Sequence, residues 1–113
     1  MHQQDISLKV AGTPRPGGAM DGDVFRIAQE AVHNAVRHAD AEHIAVGLSA
    51  RNGHLVLTVD DDGVGFDPAA AALRARRLGL TSMEERAKAL GGVLTIDSRP
   101  GAGTKVRLEV GGS

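Results

Sequence analysis

Five short stretches of the chain have the apolar and polar pattern of β-strands, and the first of them alternates strictly between the two kinds of residue. The first, "ISLKV", covers residues 6–10. Two pairs follow, residues 43–50 with 54–60 through "RNG", and residues 93–98 with 104–110 through "RPGAGT". Asn-Gly and Pro-Gly steps favour tight turns. The pattern therefore predicts one isolated strand and two β-hairpins.

Residues 24–39, "VFRIAQEAVHNAVRHA", have the period of an amphipathic helix, and Asp23 is placed to cap its start. Six apolar residues form one arc that we expect to pack on the sheet: Phe25, Ala28, Val32, Ala35, Val36 and Ala39. Glu30, Asn34 and His38, spaced four residues apart, fall nearly opposite that arc. Such a stripe is the ordinary solvent face of a helix. An asparagine is a weak helix former, however, and its amide oxygen also suits Mg²⁺.

A second helix is indicated shortly before residue 91. Thr81 with Glu84, or Ser82 with Glu85, can form a capping box at its start, and Gly91 suits its end. The order of elements is then strand, helix, hairpin, loop, helix, hairpin. This order predicts an α+β fold, a two-layer α/β sandwich with a mostly antiparallel mixed sheet and helices on one face.

Composition narrows the class of protein. The chain has 113 residues, the length of one domain, with 42% hydrophobic and 24% charged residues, as in globular proteins. A net charge of −1 and only two aromatic residues, Phe25 and Phe66, argue against binding to nucleic acid or to a membrane surface. The absence of cysteine excludes disulfides and thiolate metal sites. The chain shows no signal peptide and no apolar run of about 20 residues, and we expect a cytoplasmic domain whose parent protein can still be anchored in a membrane.

In the stretch "VDDDGVGFDP", three consecutive carboxylates followed by two glycines stand at the end of a predicted strand. Asp61 is expected to be partly buried, where a carboxylate needs a hydrogen-bond donor such as the amino group of adenine. Gly63 and Gly65 would let the backbone approach a flat base closely. A plain turn and a cluster of solvated charges are the alternatives, the latter above all for Asp60 and Asp62. A calcium loop is excluded, because the EF-hand spacing of acids is not met.

Two further glycine segments have both a structural and a functional interpretation. Gly79 precedes the second helix and follows Arg76 and Arg77, so the unpaired amides of the helix start and the two cations suit an anion. An ordinary helix start with surface arginines is equally consistent with this pattern. The segment "GAGT", residues 101–104, taken by itself is a hairpin turn. Neither a P-loop nor a G-x-G-x-x-G motif is present.

Four segments in this order, "QEAVHNAVRHA", "DDGVGFD", "LGLTSMEERAKALGG" and "GAGTKVRLEV", resemble the catalytic ATP-binding domain of bacterial sensor histidine kinases. These domains belong to the GHKL (Bergerat) ATPase superfamily, and the likeness is closest to the branch that pairs with NarL-type response regulators. It runs from about residue 24 to residue 110. The resemblance implies a Bergerat fold that binds ATP with Mg²⁺ and transfers the γ-phosphoryl group to a histidine on a separate dimerisation domain.

The resemblance also implies how the chain is organised. Residues 1–113 would form a single domain with its core at 24–110. None of the five histidines lies in a phospho-acceptor context, so we expect the chain to be a module cut from a longer kinase, with little activity alone.

On the first helix the resemblance implies a metal and phosphate site. Asn34 would be the Mg²⁺ ligand and contact ATP, and Glu30 would be the catalytic base or orienting acid. Arg37 and His38 would lie on the phosphate side of the nucleotide.

At the other end of the nucleotide the resemblance implies an adenine site. Asp61 would accept a hydrogen bond from adenine, with Gly63 and Gly65 as its glycine box. Gly103 and Thr104 would belong to the same site, the threonine supporting the aspartate.

A second glycine box, Gly79 and Leu80, would lie near the phosphates under a lid at about residues 67–78. Many relatives have a glycine where this chain has Arg77, which leaves the phosphate contacts of the lid open. Two other functions remain alternatives: a serine kinase of the anti-sigma-factor type, and a non-catalytic module that binds a nucleotide or a partner.

Overall fold

The computed structural model describes residues 5–12, 19–37, 41–51, 54–65 and 79–111. The elements in chain order are β1 (Asp5–Gly12), α1 (Ala19–Arg37), β2 (His43–Arg51), β3 (His54–Asp61), α2 (Leu80–Ala89), β4 (Val93–Ser98) and β5 (Thr104–Val110). All five predicted strands are present. In this part of the chain neither helix is long and apolar enough to cross a membrane.

The five strands form one mixed sheet in the order β1-β2-β3-β5-β4. β1 runs parallel to β2, while β2–β3, β3–β5 and β4–β5 are antiparallel. Buried residues recur at every second position of β3 and β5, as Leu57 with Leu108 and Val59 with Val106, so one face of the sheet is covered. Both helices contribute to the same buried cluster. The predicted α+β sandwich with helices on one face is confirmed.

The core is aliphatic, as the scarcity of aromatic residues predicts. Its largest fully buried side chains are Ile27, Ile44, Met83, Leu108 and Val59. Burying one such side chain stabilises the fold by roughly 1.5–3 kcal/mol.

The start of α1 differs from the prediction. The helix begins at Ala19, so Asp23 is not an N-cap but lies inside the helix. Its Oδ1 atom is 3.1 Å from Nη1 of Arg86 on α2. This ion pair joins α1 to α2 and favours a helix that continues through the Asp-Gly pair, whose own helix propensity is low.

The buried face of α1 is also rotated relative to the prediction. The buried residues are Val24, Ile27, Ala31 and Ala35, while Ala28, Val32 and Val36 are only partly covered. Phe25, which we placed in the packed arc, is 65% exposed. Glu30 and Asn34 each lie three residues after a buried position and are half-buried. They therefore flank the buried stripe, and the prediction that they lie opposite it is wrong.

The predicted capping box of α2 is absent. The helix begins at Leu80, and its N-cap is Gly79, which has a left-handed backbone (φ 67°) and makes no side-chain cap hydrogen bond. Thr81 and Ser82 lie inside the first turn and not before it. A capping box requires its hydroxyl residue at the N-cap, so neither candidate pair meets that requirement.

The end of α2 is as predicted. The N–H of Gly91 (φ 66°) donates to the carbonyl of Lys88, and the N–H of Gly92 donates to the carbonyl of Ala87, both at 2.9 Å. These two bonds form a Schellman motif, which favours glycine at the left-handed position.

Candidate functional site

Three polar side chains form a row across one end of the sheet. Asp61 on β3 is the register partner of Thr104 on β5, which in turn pairs with Ser98 on β4. Asp61 follows the buried Val59 by two positions, so its side chain points to the face that the helices cover. Ser98 is 3% exposed. The row therefore lies where the aliphatic core ends.

The carboxylate of Asp61 is held by two backbone amides. Its Oδ1 atom accepts the N–H of Gly63 at 2.8 Å, and the backbone of Thr104 provides a second hydrogen bond. Burial raises the pKa of this carboxyl above its ordinary value, and the charges of Asp62 and Asp60 raise it further, against the lowering effect of the two amides. A hydrogen-bond donor from a ligand would offset that cost of burial.

Thr104 supports Asp61 through its backbone, while its side chain bonds to Ser98. The Ser98 hydroxyl donates to the carbonyl of Gly103 at 3.1 Å and lies 2.8 Å from the Thr104 hydroxyl. A serine has one O–H, so Thr104 is the donor in the second bond. Ser98 was missed in the sequence. Its only signal is its place as the last residue of a strand that a short turn brings opposite Thr104.

The glycines near this row make room for backbone. A Cβ on Gly103 (φ 78°) would collide with the carbonyl oxygen of Asp61. A Cβ on Gly65 (φ 66°) would collide with the carbonyl oxygen of Arg99. The segment after β3 and the turn between β4 and β5 thus pack backbone against backbone. This packing gives a structural reason for glycine here, in addition to the predicted close approach of the backbone to a flat adenine base.

A cavity of about 360 Å³ opens at this end of the sheet. Its lining includes Asp61, Gly103 and Thr104, all predicted as site residues, together with Ser98 and, at the rim, Lys105. This volume lies within the range of roughly 300–1,000 Å³ that is usual for small-molecule sites.

A second group of predicted site residues lies where α1 meets α2. Glu30 and Asn34 are one turn apart on α1, and the carboxylate of Glu30 lies against Gly79 at the start of α2. Leu80 is buried and part of the core, and Arg37 is exposed as the last residue of α1. The described lining of the cavity comes from β-strands and their turns. The residues at the junction of α1 and α2 therefore form a group separate from the cavity.

Parts of the predicted site lie outside the described residues. They are His38 and the predicted lid at residues 67–78, including Arg77.

Asp62, which the sequence suggested to be a solvated charge, is exposed but has specific partners. Its Oδ1 atom accepts the backbone N–H groups of Glu42 and His43 at 2.9 Å each, and its Oδ2 lies 2.7 Å from Nδ1 of His43. The backbone N–H of His43, its side chain and the N–H of Glu42 hold the pKa of Asp62 below its ordinary value. This contact ties the residue after Asp61 to the start of β2. Asp60 is closer to the simpler interpretation, since its side chain is 43% exposed and its Oδ1 atom lies 3.8 Å from Nζ of Lys105.

Comparisons with known proteins agree with this architecture. Residues 21–111 match the family model of histidine kinase-, DNA gyrase B- and HSP90-like ATPases. Two similar curated proteins are an uncharacterized sensor-like histidine kinase of Chloroflexus aurantiacus, 42% identical over 100 residues, and the sensor histidine kinase LiaS of Bacillus subtilis, 39% identical over 106 residues. The alignments cover 85% and 94% of the chain but 17% and 29% of these relatives. The chain thus spans less than a third of their length.

Solved structures show the same fold. A histidine kinase domain from the blue-light activated histidine kinase of Erythrobacter litoralis has a TM-score of 0.77 at 24% identity, covering 96% of this chain and 52% of that one. The ATP binding domain of PrrB from Mycobacterium tuberculosis has a TM-score of 0.71 at 22% identity, covering 97% and 81%. The chain therefore belongs to the family of histidine kinase-, DNA gyrase B- and HSP90-like ATPases, as an ATP-binding domain of the sensor histidine kinase type.

Proposed function

We propose that the chain binds ATP with Mg²⁺ and transfers the γ-phosphoryl group to a histidine on a separate dimerisation domain, in two-component signal transduction. The observation that carries this proposal is the half-buried carboxylate of Asp61 on a cavity large enough for a small molecule. The family supports the same ligand, since its members are ATPases.

The adenine end of the nucleotide is assigned to the cavity. Adenine presents an amino group as a donor, whereas guanine presents a carbonyl oxygen at the same position. The carboxylate of Asp61 accepts hydrogen bonds, so it favours the amino group of adenine and repels the carbonyl oxygen of guanine. The other residues assigned to nucleotide contacts are Gly63, Gly65, Gly79, Leu80, Gly103 and Thr104.

The phosphate end is assigned to α1. The protein's share of the metal coordination is assigned to the amide oxygen of Asn34, which is half-buried on α1 one turn from Glu30. Such a share fits Mg²⁺, which takes few protein ligands and keeps water and phosphate oxygens. The bound cation would neutralise charge on the phosphates. Arg37 and His38 are assigned as phosphate donors, and Glu30 as the base or orienting acid toward the acceptor histidine.

The partners follow from the same proposal. The acceptor is the dimerisation domain of a longer parent kinase, in keeping with the small share of the relatives that this chain covers. The next partner is a response regulator, for which the resemblance favours the NarL type. The domain would work in the cytoplasm, without direct contact to nucleic acid or membrane.

Calorimetric titration of the chain with ATP, with and without Mg²⁺, tests the binding part. We expect saturable binding of ATP that Mg²⁺ strengthens, and weaker binding of GTP. Absence of binding at millimolar ATP would contradict the proposal and favour a non-catalytic module.

A transfer assay tests the acceptor. The chain is incubated with γ-labelled ATP and a histidine-bearing dimerisation domain taken from one of the relatives. We expect a labelled protein whose label is lost in acid, because phosphohistidine is acid-labile. An acid-stable label on serine would favour the serine kinase alternative.

A further inference from the structure

The two helices run antiparallel with a fixed register. Asp23 on α1 contacts Arg86 on α2, and Glu30 contacts Gly79 at the start of α2. These contacts are seven residues, or two turns, apart on each helix. Between them both helices bury core residues, and Met83 on α2 has no exposed surface. The packing of the core therefore fixes the backbone of Glu30 relative to that of Gly79.

Gly79 has no space for a side chain. A Cβ at this position would lie 2.6 Å from Oε2 of Glu30 and 3.1 Å from its Cδ. Both atoms are at the far end of a flexible side chain, so a Cβ would turn the carboxylate away before it displaced either helix. The carboxylate also lies beside the start of a helix that has no side-chain cap of its own, which favours a negative charge there.

We infer that Gly79 is a positioning residue for Glu30: the missing side chain leaves the space that the carboxylate occupies at the junction of α1 and α2. This inference rests on the proposed function, in which Glu30 acts on the acceptor histidine. It gives Gly79 a role that differs from contact with the phosphates. Any L-residue larger than glycine here moves Glu30 and slows transfer.

The other end of α2 provides a matched control. Gly91 has nearly the same backbone as Gly79, with φ of 66° against 67°, and a Cβ on Gly91 would have no atom within 4 Å. Gly79→Ala and Gly91→Ala therefore carry the same left-handed strain, and only the first meets Glu30. We expect similar shifts of the thermal midpoint for both.

The position of Glu30 is read directly by carbon-13 NMR of glutamate side-chain carboxyls in the nucleotide-free chain, with Glu30→Gln used to assign its signal. We expect the Glu30 signal to shift in Gly79→Ala and not in Gly91→Ala. Gly79→Asn serves as a second variant, because asparagine tolerates the left-handed region and carries the same Cβ. The inference would be overturned if the Glu30 signal did not move in a Gly79 variant that folds. It would also be overturned if neither Gly79 variant folded while Gly91→Ala did.

The transfer rate at saturating ATP gives the functional readout. A positioned acid or base contributes about 10²–10⁴-fold, so we expect Gly79→Ala to be slower than Gly91→Ala by at least about tenfold. In a Glu30→Gln background the same change should cost less than about twofold, because the group that it displaces no longer acts. Equal loss in both backgrounds, or a moved carboxyl with an unchanged rate, would overturn the inference. A parent chain that transfers no phosphate would refute the proposed function, while the NMR signal still tests the position of Glu30.

Discussion

The substitution Asp61→Asn tests the adenine site most directly, because it changes one atom of a side chain whose contacts are known. Oδ1 accepts the N–H of Gly63 at 2.8 Å, and only the amide oxygen of the variant can keep that bond. The amide nitrogen then takes the place of Oδ2. We expect the cavity then to present a donor where it had an acceptor, opposite the amino group of the proposed adenine.

The expected loss follows from the charge of the group. A hydrogen bond to a charged group contributes about 1.5–3 kcal/mol, and 1.4 kcal/mol corresponds to a tenfold change in Kd, so the Kd for ATP should rise roughly 10- to 150-fold. The carbonyl oxygen of guanine accepts from the new amide, so the preference for ATP over GTP should fall further.

The free energy of unfolding of the nucleotide-free protein should respond to Asp61→Asn in the opposite direction to the ATP affinity. Burial raises the folded-state pKa of Asp61, so the ionised carboxylate costs stability above that pKa and the cost is relieved as the pH falls through it. The uncharged variant should therefore be as stable as the parent or more stable at neutral pH, and any advantage should shrink toward acid pH.

Calorimetry with ATP and GTP, together with urea unfolding at several pH values, measures both effects. Asp60→Asn is the control, since Asp60 lines the same cavity from the opposite face of the sheet and its Oδ1 atom lies 3.8 Å from Nζ of Lys105. Equal ATP affinity for Asp61→Asn and the parent, or an equal loss in Asp60→Asn, would refute the assignment of adenine to Asp61.

Three further predictions address other parts of the site. Asn34→Ala should abolish the gain in ATP affinity from Mg²⁺ and leave metal-free binding unchanged; an undiminished Mg²⁺ effect in calorimetry would contradict the assigned ligand. Ser98→Ala removes a buried hydroxyl with two partners and should lower the free energy of unfolding by about 1–3 kcal/mol, whereas the exposed Ser49→Ala should change it little; equal effects in urea titrations would contradict this. The pKa of Asp62 is lowered in the fold, so the stability that it contributes is present above the ordinary value of 3.8 and lost as the pH falls through the lower folded value. Asp62→Asn should remove that part of the acid sensitivity of the thermal midpoint, and an identical acid profile would argue against the contact with His43.

The sheet could be predicted from the sequence because each strand has its own local signal. Alternation with turn residues on both sides gave residues 93–98 and 104–110 with the bounds that the structure has. The faces of α1 could not be predicted in the same way. The predicted arc included Phe25 because a large apolar side chain is usually buried, but the core beside α1 is filled by Ile27 and Met83 and leaves Phe25 outside. Which face of α1 is buried therefore depends on the side chains that pack against it from the rest of the core.

The site shows the same limit. The acidic segment indicated Asp61 as a candidate, yet the amide of Thr104 that supports it lies on a strand more than forty residues later. Ser98 and His43 have no motif of their own, and they matter because strand pairing brings them beside the acidic segment. A sequence motif marks the residue with distinctive chemistry, whereas its support comes from residues that only the register of the sheet identifies.

The raised pKa of Asp61 links binding to stability. Without a ligand, the fold keeps a half-buried carboxylate whose ionised form is disfavoured, and the turn glycines that close the backbone around it admit no side chain. The aliphatic core under β3 and β5 has to offset that cost. A donor that meets Asp61 relieves it, and a ligand stabilises the folded state by RT ln(1 + [L]/Kd). If adenine binds at Asp61 as proposed, the residue that makes the free domain less stable is therefore the one through which the nucleotide stabilises it.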